Sequence, residues 1–71
     1  MSEQTKPSDP ARVDEDVLTA IRSGWQERGD IVRFFQIRSI PWSRADVEGS
    51  LRRLKRTGRI VHKDYGWEVS R

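Results

Sequence analysis

The stretch from Ser43 to Ile60 leaves this chain the least conformational freedom. Ser43 is a strong helix N-cap, and Asp46 stands where an acid completes a capping box, although Glu is usual there. Val47, Leu51 and Leu54 then step by four and three residues along one face, the spacing of a helix with a single buried stripe. Gly58 after Thr57 is a helix stop. Arg52, Arg53, Lys55 and Arg56 lie near the C-terminal end, where the helix dipole favours cations. A helix over about 43–57 is expected.

Two further helices precede it. Ser8 or Asp9 can cap the first, with Pro10 at a position where its missing N–H costs nothing. Val13, Val17, Leu18, Ile21 and Trp25 fall on one stripe, Asp14, Glu15 and Asp16 lie towards the positive end of the dipole, and Gly24 is the stop. The helix is expected over about 10–24, after a disordered arm at 1–9 that has no aliphatic residue beyond Met1. Gly29-Asp30 reads as a break, with Asp30 capping a short helix over 30–36 because Ile31, Phe34 and Phe35 sit at i, i+3 and i+4. Pro41 pushes Ile40 into an extended conformation, which makes the segment from Ile37 to Trp42 a turn.

After Gly58 the pattern changes to alternation. Strands are expected over about 59–63 and 67–70 around an Asp64-Tyr65-Gly66 turn, with Ile60 and His62 on one face, Val61 and Lys63 on the other, and Trp67 and Val69 together. An isolated hairpin is marginal, so its apolar face must pack on the helices. Few large apolar residues are present, which makes Trp25, Trp42 and Trp67 core anchors before anything else. His62 reads as a surface or packing residue.

Composition removes several function classes. The 71 residues suit one small domain, 34% hydrophobic and 35% charged. With no cysteine there is neither a disulfide framework nor a thiolate metal site, and a single histidine cannot build a zinc site without carboxylates. No apolar run approaches the roughly 20 residues of a membrane helix, and the polar first residues are unlike a signal peptide, so a cytoplasmic location is expected. No glycine-rich phosphate loop and no paired carboxylates in an apolar context point to catalysis; neither an enzyme nor a cofactor is expected. The net charge of +3 conceals a split: residues 1–30 carry four bases against seven acids, whereas residues 31–71 carry ten bases against four acids. Between Leu51 and Lys63 there are six basic residues and no acid, a footprint suited to a polyanion, although a solvated surface also needs charge.

Helix, short helix, turn, basic helix, glycine and hairpin in this order resemble the winged helix-turn-helix superfamily. The residues that carry the resemblance are Val17 to Ile21, Val47 to Leu54, and Lys55 to Ile60, the last matching an L-x-x-L-x-x-x-G-x-I ending of the third helix. It spans about Ala11 to Ser70. The resemblance implies an α+β, mostly α fold with three helices and a C-terminal β-hairpin wing. It implies double-stranded DNA as partner, with the third helix in the major groove and the wing on the backbone or minor groove, as in a small transcriptional regulator. Carried over, Ser43, Arg44, Glu48, Gly49, Arg52, Arg53 and Arg56 would contact DNA from the third helix, bordered by Trp42 and Asp46, and the wing would offer His62, Lys63, Asp64 and Tyr65, with Lys63 and Tyr65 as its contacts.

Physical chemistry gives these residues matching capacities. Arginine can bridge guanine O6 and N7, and Lys or Arg on phosphates makes binding salt-dependent. Gly49 weakens a helix by roughly 1 kcal/mol, so it serves either a close helix crossing or a close approach to a partner. Asp46 and Glu48 count against DNA, because phosphates repel them. They suit the alternative of a protein-interaction module within a larger nucleic-acid-processing assembly, as does a protein partner on the acidic helix 1 side. A monomer or weak homodimer is expected.

Overall fold

Five elements follow in order in the computed structural model, which describes residues 9–64 and 66–70: α1 (Pro10–Arg22), α2 (Arg28–Ile37), α3 (Arg44–Arg56), β1 (Ile60–Lys63) and β2 (Gly66–Val69). The fold is α+β and mostly helical, three helices followed by one antiparallel hairpin. Of the segment expected as an arm, residues 1–8 lie outside the described residues; Asp9 is the N-cap of α1, its carboxylate accepting from the Ala11 N–H at 3.1 Å. Ser8, the other candidate cap, is also outside them.

The three helices end alike. In each, the residue after the C-cap adopts a left-handed conformation, with φ of 100° at Gly24, 58° at Ser39 and 77° at Gly58. The next N–H returns to the carbonyl five residues back: Trp25 to Ala20, Ile40 to Phe35, and Arg59 to Leu54, at 2.8–3.0 Å. This is the Schellman arrangement, which satisfies carbonyls that a helix end otherwise strands. It also turns the next apolar side chain back onto the helix, and Trp25 and Ile40 accordingly pack on the core. Ser39 performs with a Cβ what glycine performs without one.

α2 begins two residues earlier than the sequence suggested. Its N-cap is Glu27, which makes no side-chain cap bond, and Asp30 sits in the first turn instead of capping. Gly29 is no break there: it keeps a helical backbone in the first turn, at the roughly 1 kcal/mol cost in chain freedom of a helical glycine. Asp14, Glu15 and Asp16 also lie beyond the first turn of α1, which contains no acid.

α1 and α3 pack against each other, and α2 and the hairpin close the remaining sides. Val13, Val17 and Ile21 of α1, Ile31 and Phe35 of α2, Val47, Leu51 and Leu54 of α3, and Ile60 of β1 form one buried cluster. Trp25, Trp42 and Trp67 are at its rim, half-buried, and not at its centre. In the hairpin Ile60 pairs with Val69, Val61 with Glu68, His62 with Trp67 and Lys63 with Gly66. Ile60 is buried and Val61 is 40% exposed, as alternation requires.

Gly66 is not a turn residue. It opens β2 with φ of 139°, and a Cβ there would stand 2.5 Å from the Gln26 carbonyl oxygen. That oxygen accepts the Trp67 N–H at 2.8 Å, so the α1–α2 connection lies along the hairpin as a short third segment. Gly66→Ala is expected to destabilise by about 2 kcal/mol or more, from collision and backbone strain together. Ser39→Gly is expected to stabilise by about 0.5–1 kcal/mol, since relief of the left-handed strain exceeds the added freedom of the unfolded chain. Urea unfolding of both variants tests the two signs.

Candidate functional site

The buried stripe of α3 fixes what the helix shows to solvent. Val47, Ser50, Leu51 and Leu54 face the core, so Ala45, Gly49, Arg52 and Arg56, at i, i+4, i+7 and i+11, lie opposite. Arg44, Arg52 and Arg56 are exposed, and among the described residues none has a carboxylate within ion-pair distance. Ser43 caps the helix, its hydroxyl accepting from the Asp46 N–H at 3.2 Å while Asp46 accepts from the Ser43 N–H at 2.9 Å. Gly49 is free of internal crowding: a Cβ would meet only Arg53 Nη1, at an ordinary 3.6 Å. No helix crossing requires a glycine there.

Arg53 is one residue from Arg52 and has a different neighbour. Its Nη2 donates to Asp14 Oδ1 at 2.7 Å and its Nε to Asp14 Oδ2 at 3.3 Å. The same carboxylate accepts from the Ser50 hydroxyl at 2.5 Å, and Ser50 is fully buried. The hydrogen bond to Asp14 raises the Arg53 pKa above its usual value, against a smaller opposing effect of burial. Arg53 therefore belongs to the α1–α3 joint. Glu48 is likewise partnered, by Arg28 at 3.4 Å across the gap to α2.

The acidic side of α1 is largely consumed inside the fold. Asp14 serves the joint, and Asp16 accepts from the Trp42 indole N–H at 2.6 Å. Trp42 is thereby held against α1 and does not stand open at the start of α3. Glu15 is the carboxylate of that trio left exposed.

A cleft of about 630 Å³ opens between the start of α2, one side of α3 and the hairpin. α3 contributes Glu48, Leu51, Arg52 and Lys55; the hairpin contributes His62, Asp64, Gly66 and Trp67. His62 and Trp67, paired across the strands, meet edge to face at 4.6 Å. Lys63 alternates to the other face of β1, and Tyr65 lies outside the described residues. The structure thus gathers Gly49, Arg52 and Arg56 on one face, leaves Arg44 exposed at the start of the helix about 100° round from it, and takes Arg53 and Lys63 away from it.

Compared with protein-family models, curated proteins and solved structures, the chain shows no match. Among the described residues no helix is long and apolar enough to cross a membrane, and no group of three or more His, Cys, Asp or Glu could hold a metal ion.

Sequence reasoning overlooks Arg28 and Lys55. The signal for Lys55 is present, since it shares with Glu48 and Arg52 the flank of α3 beside its buried stripe; Arg28 requires the α2–α3 packing. Asp14→Ala is expected to destabilise by about 1–3 kcal/mol, because Ser50 is left buried without its acceptor; the half-exposed Arg53 adds little. Adding Ser50→Ala should recover part of the loss, and urea unfolding of single and double variants measures it.

Proposed function

We propose that the chain is a winged helix-turn-helix domain that binds double-stranded DNA as a small transcriptional regulator. α3 enters the major groove and the hairpin, acting as the wing, lies on the backbone or minor groove. The element order supports this, as does the third chain segment that Gln26 lends to the hairpin. The observation that carries it is the outward face of α3, where Ala45 and Gly49 leave the first half low and Arg52 and Arg56 make the second half cationic. From Ala45 to Arg56 the helix rises roughly 16 Å, the length of about five base pairs.

Roles follow from placement. Arg52 and Arg56 reach base edges or phosphates, Arg44 and Ser43 lie at the groove's rim, and Gly49 allows the helix backbone close to the base edges. The acids that oppose a phosphate surface are partly satisfied internally, Asp46 by its cap and Glu48 by Arg28. Arg53 adds to the field without leaving its joint.

Duplex affinity measured against salt concentration tests the proposal. Arg52→Glu with Arg56→Glu should cut affinity at least about tenfold and flatten the salt dependence by about one unit of slope for each phosphate no longer neutralised. Gly49→Ala should make the fold more stable by up to about 1 kcal/mol while weakening DNA binding, a pair of opposite effects that a purely structural glycine would not give. Absence of duplex binding at low salt, or charge reversal without effect, overturns it.

One observation favours a second reading, a protein-interaction module in a nucleic-acid-processing assembly. Ile37, at the end of α2, is 60% exposed. A stoichiometric protein partner, retained after nuclease treatment and released by Ile37→Glu, would establish that use.

A further inference from the structure

The cleft beside α3 has a lining that a bare phosphate surface does not need. On its α3 wall Glu48 is paired with Arg28 of α2, which leaves Arg52 and Lys55, one turn apart and, among the described residues, neither in an ion pair, as the cations open to a ligand. Its hairpin wall is aromatic, the half-buried Trp67 braced by the exposed His62. Glu27 and Asp64 add carboxylates at the rim. Simple polyanions would be opposed by those carboxylates, and a neutral apolar ligand would gain nothing from Arg52 and Lys55. A nucleotide satisfies all three features: an aromatic base to stack, an anionic phosphate, and base N–H donors for carboxylate oxygens.

We infer that this cleft takes one unpaired nucleotide, with its base against Trp67 and His62 and its phosphate at Arg52 and Lys55. Its volume of about 630 Å³ lies within the range of small-ligand sites. Base–aromatic stacking beside a cationic groove is a general physical basis of single-strand recognition. The inference rests on nucleic acid being the partner, and it adds a preference that helix α3 in a groove does not supply: for duplexes that end in, or are interrupted by, unpaired bases. Arg52 is common to both sites and His62 stands on the hairpin assigned to the duplex, so the cleft is tested by the ratio of overhang to blunt-duplex affinity and not by either affinity alone.

The experiment compares a blunt duplex, the same duplex with a three-guanine overhang, and guanosine monophosphate, for the full chain and for Lys55→Gln/His62→Ala. Both substituted residues are exposed, and circular dichroism verifies that the variant is folded. The expected result is at least about fivefold tighter binding of the overhang duplex than of the blunt one, with the Trp67 indole N–H resonance shifting, and an overhang-to-blunt ratio that falls to about one in the variant. Guanosine monophosphate shifting the same resonance at comparable concentration would identify free nucleotide as the source; a shift by the overhang alone identifies the strand. Equal affinity for blunt and overhang duplexes, or a preference that survives in the variant, overturns the inference while leaving duplex binding intact. Binding of none of the three ligands overturns the function proposed above along with it.

Discussion

The Asp14 carboxylate is the point from which the rest of the molecule is arranged. It accepts from Ser50, which is shut away from water, and from Arg53, which lies between the core and the surface. A buried hydroxyl without an acceptor is costly, so the contact favours the rotation of α1 and α3 that brings Asp14 over Ser50. It agrees with the apolar stripe of Val47, Leu51 and Leu54, which gives the side of α3 that faces the core. Together they settle which arginines remain outside: Arg52 and Arg56 are presented while Arg53 is retained. A polar contact in a small apolar core thus joins the apolar stripe in specifying the orientation of the charged surface.

Charge, considered along the chain, describes the surface only partly. Of the three acids in α1, two are used internally, Asp14 by Arg53 and Asp16 by Trp42. The basic stretch from Leu51 to Lys63 is divided by geometry as well: Arg56 faces outward, Arg52 lies between that face and the cleft that Lys55 lines, Arg53 is held by Asp14, Arg59 is exposed after the helix stop, and Lys63 belongs to the opposite side of β1. Six neighbours in sequence become separate environments.

Local signals are legible wherever the responsible contacts are local. The capping box of Ser43 and Asp46, the stops after Ser23 and Thr57, and the alternation of the hairpin all follow from residues within a turn of one another. The start of α2 is misplaced because glycine reads as a break, although a first helical turn tolerates it. Gly66 reads as a turn residue because its requirement comes from Gln26, far away in sequence. Arg53 groups with Arg52 and Arg56 because the apolar stripe gives the phase of α3 but not which side chain of α1 lies across it. The last two depend on a tertiary neighbour that no local pattern names.

The hydrogen bond from the Trp67 N–H to the Gln26 carbonyl ties the hairpin to the α1–α2 connection at one point. One edge of the cleft is therefore held by a main-chain bond as well as by the packing of Ile60 and Val69 on the helices. The exchange rate of that one amide proton with solvent would report how often hairpin and connection part, and so how often the aromatic wall of the cleft leaves its position opposite α3.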